Sequence, residues 1–161
     1  ARRLAAATPG LKMHFETADA EDLPFGDASF DRVCGCSILH HLDIDRALRE
    51  VRRVLRPGGV AIFYEPGAYH PGARLYRRLT PQHHTPDEHP LTTRDLGLIR
   101  SVFPTTRISF FDLWSVAAIP LLSLPGGLAL LRLLERADRA TFAVLPPSRR
   151  WASVLLLEAH T

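Results

Sequence analysis

Two adjacent histidines are the side chains in this sequence best suited to proton transfer. His40 and His41 follow a run of small residues, Gly35-Cys36-Ser37. An unperturbed imidazole titrates near neutral pH, so either ring can serve as a general base. The alternative is that both residues only order the start of the next helix. The sequence therefore offers His41 and His40 as catalytic candidates.

The remaining groups that could bind a metal do not form a ligand pattern. Cys34 and Cys36 lie one residue apart, which is too close for an ordinary disulfide, and two thiols are too few for a zinc site. A second group of side chains combines imidazole and carboxylate at no established ligand spacing: His83, His84, Asp87, Glu88 and His89. We therefore predict no metal site, and free thiols favour a reducing, cytoplasmic setting.

The first half of the chain predicts a strand, a second strand, a helix and a third strand. Residues 13–18 alternate polar and apolar side chains, and residues 30–37 are compact and apolar enough for a buried parallel strand. From Asp43 the apolar residues recur at helical spacing until Pro57-Gly58-Gly59, and the strand 60–64 follows at once. This order is a βαβ unit.

The second half combines a polar loop with an apolar insertion. Residues 68–91 are rich in Pro and His and predict a mobile loop or short cap. Thr92 begins a helix with a capping-box pattern, and strands are predicted at 107–114 and 151–158. Between those strands, residues 115–147 form an insertion whose apolar part we expect to be two short helices.

Composition places the chain among ordinary globular α/β or α+β proteins. It has 161 residues, of which 46% are hydrophobic and 23% charged, and we expect one domain over residues 1–161. The net charge is only +3, and the basic residues are scattered rather than aligned. This distribution predicts no nucleic-acid partner.

Four motifs in a fixed order give the sequence a family resemblance. They are the runs Ala18 to Phe25 (ADAEDLPF), Ser29 to Val33 (SFDRV), Leu39 to Leu42 (LHHL) and Arg53 to Gly59 (RVLRPGG). In this order and spacing they resemble the class I S-adenosylmethionine-dependent methyltransferases that act on small molecules. The resemblance implies a Rossmann-like, doubly wound α/β fold, a three-layer sandwich with a mostly parallel sheet and an antiparallel last strand. The first two strands of the family are lacking.

The resemblance also implies which residues hold the cofactor, S-adenosylmethionine. Asp19 would accept from the adenine amino group and Ala20 N–H would donate to a ring nitrogen, while Cys36 and Ser37 would face the methionine portion. The alternatives are a turn cap at Asp19 and simple core packing for the small residues.

Residues beyond the third strand are expected to contact the methyl acceptor. Glu65, Tyr69 and His70 follow that strand at the edge of the sheet where ligands bind in open α/β folds. They are therefore the predicted substrate-pocket residues. The acceptor itself is expected to be a small molecule, and the oligomeric state is left open.

The sequence departs from the family before Asp19, where no G-x-G pattern occurs. We therefore expect this chain to be the C-terminal portion of a longer methyltransferase, inactive or weakly active by itself. The alternative is a non-catalytic binding or assembly module that has lost the cofactor loop.

The apolar insertion has three interpretations. It can be ordinary core packing, a lid over a lipophilic acceptor, or a peripheral membrane contact through residues 115–139. In the membrane interpretation, Arg132, Arg136 and Arg139 would supply the basic rim of an interfacial helix.

Overall fold

A four-stranded mixed sheet organises the part of the chain that the computed structural model describes, residues 14–85 and 88–161. The strands are β1 (Phe30–Cys36), β2 (Leu55–Pro66), β3 (Thr105–Phe111) and β4 (Val154–His160), in the spatial order β1-β2-β4-β3. β1 and β2 are parallel, and β4 is antiparallel to both β2 and β3. The predicted antiparallel last strand is confirmed.

Within these described ranges, four α-helices connect the strands. They are α1 (Ile44–Val54), α2 (Pro71–Leu79), α3 (Thr93–Val102) and α4 (Gly127–Val144). Asp43 caps α1 by accepting from Arg46 N, and Thr92 and Asp95 form the predicted capping box of α3. α1 ends at Val54 and β2 begins at Leu55, so the left-handed Gly58 lies inside the strand rather than at the helix end. Short 3₁₀ helices occupy Leu39–His41, Pro81–His83, Ser115–Leu121 and Pro146–Trp151.

The hydrophobic core lies between the sheet and the pair α1 and α3. Along β2 the buried residues alternate, Ala61, Phe63 and Glu65, and β4 presents Leu155, Leu157 and Ala159 on the same face. Leu48, Val51, Ile99 and Phe103 pack against this face. Burial of these side chains contributes roughly 1.5–3 kcal/mol each.

The opposite face of the sheet is only partly covered. Ile62 and Leu156 are half-buried there, while Tyr64, Cys34 and Cys36 are exposed. Among the described helices, α1 and α3 supply the layer on the core face of the sheet. The prediction of a buried strand at 30–37 is correct in its parallel pairing and wrong in its burial, because β1 pairs on one side only among the described residues.

Three other predictions need correction. Residues 14–18 form no strand, since no described segment pairs with them, and Met13 lies outside the described residues. The predicted loop 68–91 contains α2, because Pro71 occupies its first turn and the His70 side chain accepts from Ala73 N. The two short helices expected in the insertion are a 3₁₀ helix and the 18-residue α4, separated by Gly126 at φ +87°.

None of the described helices is long and apolar enough to cross a membrane.

Candidate active site

The ligand-binding edge of an open α/β sheet is the one at the carboxyl ends of its parallel strands. β1, β2 and β3 all end at this edge, and the antiparallel β4 begins there. The loops that follow these strands carry most of the predicted site residues. Gly67 links the loop after β2 to the residues just before β4. Its N–H donates to Ser153 O at 2.9 Å, and a Cβ at this position would collide with Ala152 O.

Glu65 fixes the loop that follows β1. Strand alternation directs this side chain to the core face, where it has no exposed surface. Its Oε1 accepts hydrogen bonds from Ile38 N and Leu39 N, both at 2.9 Å, and its Oε2 accepts from His40 Nδ1 at 2.7 Å. Both carboxylate oxygens are therefore committed, and the prediction that Glu65 contacts an acceptor does not fit. Its role is to hold residues 38–40 against the end of β2.

The two candidate catalytic histidines occupy different environments. His40 is 4% exposed and its ring contacts that of His41 at a tilt of 40°, with ring centroids 4.1 Å apart. Because Glu65 Oε2 accepts from His40 Nδ1, the lone pair of the neutral ring lies on Nε2. His41 is half-buried, and its Nδ1 lies 3.5 Å from Thr85 Oγ1. The arrangement of buried carboxylate and oriented imidazole is suited to general base catalysis.

Asp19 lies on an exposed turn before β1. Its Oδ1 accepts from Glu21 N at 2.9 Å, and its carbonyl accepts from Asp22 N at 3.3 Å, so the turn-cap alternative is correct for one carboxylate oxygen. No described donor bonds to Oδ2. A carboxylate with one free oxygen, next to the half-buried Ala20, fits the acceptor role expected toward an adenine amino group.

A second carboxylate holds the loop 20–27 on which this turn continues. Glu50 Oε2 accepts from Leu23 N at 2.9 Å and from Arg53 at 2.6 Å. Arg53 also donates to Leu23 O, Phe25 O and Asp27. The hydrogen bonds from Arg53 and then from Leu23 N lower the pKa of Glu50 to about 2. Arg53 thus has a structural role, although a scattered arginine gave no such indication in the sequence.

Cys36 and Ser37 form the end of β1. Both are exposed, and Ser37 adopts φ +50° while its N–H donates to Tyr64 O at 2.8 Å. A positive φ is uncommon for a residue other than glycine and turns the chain sharply toward the loop 38–41. The side chain of Tyr64 neighbours this turn, and burial, followed by the charge of Asp112, raises its pKa. The roles predicted for Cys36 and Ser37 toward methionine stay predictions.

His70 and Tyr69 lie on the loop after β2. His70 is 6% exposed, accepts from Ala73 N through Nδ1, and donates from Nε2 to Leu113 O at 3.0 Å. It borders a pocket of 440 Å³ whose walls also include Leu113, Trp114, Leu145, Ser148 and Trp151. Tyr69 is half-buried, with its hydroxyl 3.4 Å from Thr93 Oγ1. The structure therefore places His70, but not Glu65, at this pocket.

His84 forms an ion pair with Glu88, in which Nδ1 lies 3.0 Å from Oε2. Burial opposes the charge of Glu88, yet the hydrogen bond from His84 and the charge of Arg77 lower its pKa. Among residues 14–85 and 88–161, no three His, Cys, Asp or Glu side chains converge to hold a metal ion.

Three residues of the pocket region were missed by sequence reasoning. Trp114 and Trp151 line the pocket, and the buried Asp138 holds the backbone of residues 113–115. One signal was available, because the only two tryptophans of the chain flank the apolar insertion. Asp138 gave no signal, since its partners are more than 20 residues away in sequence.

Known proteins resemble this chain in sequence over its first part. Residues 1–63 match the family model of a methyltransferase domain. The O-methyltransferase cnsE of Penicillium expansum is 45% identical over 64 residues, which cover 39% of this chain and 23% of that protein. The 27-O-demethylrifamycin SV methyltransferase of Amycolatopsis mediterranei is 54% identical over 46 residues, covering 28% and 17%. The match thus spans less than a quarter of each relative.

Solved structures resemble the chain over almost its whole length. An S-adenosylmethionine-dependent methyltransferase from Mesorhizobium loti superposes with a TM-score of 0.60 at 20% identity, covering 99% of this chain and 75% of that one. At this identity the likeness shows a shared fold. The expected Rossmann-like fold is therefore confirmed.

Proposed function

We propose that this chain, which belongs to the class I S-adenosylmethionine-dependent methyltransferases, supplies the acceptor side and part of the cofactor side of a site that methylates a small molecule. The observation that carries the proposal is the buried Glu65, which fixes the loop after β1 and orients His40 at the ligand-binding edge. The same loop lies next to Cys36 and Ser37.

The residues of this chain would hold S-adenosylmethionine along two segments. Asp19 Oδ2 would accept from the adenine amino group and Ala20 N–H would donate to a ring nitrogen. The end of β1, Cys36 and Ser37, would lie along the methionine portion. When bound, the cofactor supplies a methyl group on a positively charged sulfur, which is electrophilic without further activation.

The proton of an O–H or N–H acceptor would pass to His40 Nε2. His40 would take up the proton that the acceptor atom loses as it gains the methyl group, so that the methylated product would be left without an added charge. Glu65 stabilises the resulting imidazolium through the Nδ1–H hydrogen bond of 2.7 Å. His41, in ring contact with His40, would position the ring, or take the proton itself in the alternative that His41 is the base.

Calorimetric titration with S-adenosylmethionine and S-adenosylhomocysteine tests the cofactor assignment. It is made on the 161-residue chain and on the full natural coding sequence, each with Asp19→Ala and the control Asp22→Ala. We expect the full-length form to bind, Asp19→Ala to weaken binding about tenfold through loss of a hydrogen-bond partner worth ~1–3 kcal/mol, and Asp22→Ala to leave it unchanged.

Two outcomes would contradict the proposal. If neither length binds although both are folded, the non-catalytic binding module becomes the working hypothesis. If Asp19→Ala and Asp22→Ala weaken binding equally, the loop contributes only general charge and the adenine role of Asp19 is wrong.

A further inference from the structure

The pocket beside His70 is built from four separate segments of the chain. It lies between the start of α2, the residues after β3, the last turns of α4 and the 3₁₀ helix Pro146–Trp151. Its volume of 440 Å³ falls in the range of about 300–1,000 Å³ that is typical of small-molecule sites. A concave space of this size, bordered by several elements, fits a small molecule better than a peptide or a flat protein surface.

The polar groups around the pocket are already bonded within the protein. Trp114 Nε1 donates to Thr141 Oγ1 at 3.1 Å, Thr141 Oγ1 donates to Ala137 O at 2.8 Å, and Ser148 Oγ donates to Leu145 O at 2.7 Å. Both nitrogens of His70 are also used. None of the described residues that line the pocket is an Asp, Glu, Lys or Arg. A charged ligand would therefore lose its hydration without compensation, whereas an apolar one loses nothing.

The aromatic walls are held in place before any ligand arrives. Asp138 accepts from Leu113 N and Trp114 N, and at 2.6 Å from Ser115 Oγ, which fixes the backbone that carries the first indole. The guanidinium of Arg150 lies over the Trp151 ring, 4.4 Å from its centroid. Walls that are already ordered need no further loss of conformational entropy on binding, which favours affinity.

We infer that this pocket binds an uncharged, apolar compound that contains a ring system, held against the indoles of Trp114 and Trp151. Because it opens at the same sheet edge as His40 and Glu65, the compound is the methyl acceptor, a step that rests on the proposed function. The binding site itself stands on the pocket alone. The end of the apolar insertion, through Thr141 and Leu145, thus serves as part of the acceptor wall.

Intrinsic fluorescence reports on this pocket, since the two tryptophans of the chain both line it. The probe is N-phenyl-1-naphthylamine, an uncharged aromatic compound, and its matched charged analogue is 8-anilinonaphthalene-1-sulfonate. We expect the neutral probe to quench the indole emission saturably and to bind at least about tenfold more tightly than the sulfonate. Equal or tighter binding of the sulfonate would overturn the inference.

The last residue of α4, Val144, and the residue that follows it, Leu145, give a matched pair of variants. Leu145 lines the pocket and is 52% exposed, so Leu145→Arg places a charge in the wall without burying it in the core. Val144 is 84% exposed and does not line the pocket. We expect Leu145→Arg to weaken binding of the neutral probe at least about tenfold. Val144→Arg should change its affinity less than about twofold. Equal effects of the two variants would contradict the site.

The same variants separate this inference from the proposed function. Probe binding needs no cofactor, so it survives a failed S-adenosylmethionine titration. If the full-length enzyme methylates an acceptor and Leu145→Arg raises KM for that acceptor while Val144→Arg does not, the pocket holds the acceptor. If Leu145→Arg blocks the probe but leaves KM unchanged, the acceptor assignment is wrong.

Discussion

Two buried carboxylates hold the two loops of this active-site edge, and they do so with different partners. Glu65, on β2, accepts from two backbone N–H groups and from His40. Asp138, on α4, accepts from the N–H groups of residues 113–115 and from the Ser115 hydroxyl. The first set of partners includes an imidazole side chain, and the second consists of backbone N–H groups and a hydroxyl.

The difference separates a positioning device from a purely structural one. At Asp138 every donor is neutral and fixed, so the carboxylate only orders the pocket wall. At Glu65 the imidazole can gain and lose a proton, so the carboxylate also sets which nitrogen carries it. The loop after β1 therefore couples structure to chemistry, whereas the loop after β3 provides shape.

The largest expected effect is on stability, and it distinguishes the two sites. In Asp138→Asn one accepting oxygen becomes an NH₂ that faces donors, so at least one backbone N–H is left unsatisfied. We expect unfolding free energy to fall by about 3 kcal/mol. In Glu65→Gln, Oε1 still accepts from Ile38 N and Leu39 N while the NH₂ donates to His40 Nδ1, so we expect a loss below about 1 kcal/mol. Urea denaturation of both variants checks this.

The reverse order would contradict the comparison. If Glu65→Gln is the more destabilising variant, the imidazole has not changed tautomer, and the Glu65 site is the structural one.

A second test measures catalysis rather than folding. In Glu65→Gln the His40 proton moves to Nε2, so the ring no longer presents a base to the acceptor. With full-length protein we expect kcat to fall about 100-fold or more, with loss of the acid limb of the pH–rate profile, on which the rate rises as a general base loses its proton. Steady-state kinetics at several pH values give this result. An unchanged profile would mean that His40 only orders the loop, and His41→Gln would then be tested as the alternative base.

A third carboxylate extends the comparison to an ion pair. Hydrogen bonding from Arg53 and Leu23 N lowers the pKa of Glu50 to about 2. Because the folded value is below the unfolded one, the stabilisation is complete above about pH 4.5 and is lost as pH falls from there toward 2. We expect Glu50→Gln to flatten this part of the stability curve, measured by thermal unfolding between pH 2 and 6.

Glu135 provides the matched control for that experiment, because its carboxylate makes no hydrogen bond with the described residues. Glu135→Gln should leave the fall in stability between about pH 4.5 and 2 as steep as in the unchanged protein. If both substitutions flatten this part of the stability curve equally, total charge rather than the contacts of Glu50 sets the pH dependence of stability.

The smallest expected effect concerns the exposed cap of α1. Asp43 accepts from Arg46 N at the helix N-terminus, in the segment that follows the Glu65-held loop. Asp43→Ala should lower stability by about 1 kcal/mol, whereas Asp43→Asn should lower it by only a few tenths, because Asn caps almost as well. Differential scanning calorimetry should show shifts of about 2–4 °C and under 1 °C. Equal shifts would mean that charge at the helix end matters more than the cap.

Sequence reasoning succeeded where a feature depends on neighbours in the chain. The capping box at Thr92 and Asp95 follows from local spacing, whereas the antiparallel final strand was implied by the family resemblance. Even the burial of Glu65 was readable, since it shares the two-residue period of Ala61 and Phe63. It was assigned to the acceptor pocket because its position at a strand end was given more weight than that period.

Features that depend on distant partners were not predictable in this way. Arg53 bonds to residues 26 to 30 positions away, and Asp138 to residues 23 to 25 positions away. Such contacts exist only once the sheet and helices are assembled. The segment 14–18 shows the converse, since an alternating pattern forms a strand only where another strand lies beside it.

The position of β4 between β2 and β3 has a consequence for the order of folding. Among the described strands β3 pairs with β4 alone, so it has no strand to join until residues 154–160 are available. β2 can pair with β1 on one edge, but its other edge waits for β4, in which His160 lies 100 positions after its partner Val60. During synthesis one hydrogen-bonding edge of β2 and the edge of β3 that joins β4 are therefore unpaired until β4 leaves the ribosome. Long-range pairing of this kind folds slowly, and nascent chains halted before β4 should be the species that chaperones and proteases recognise.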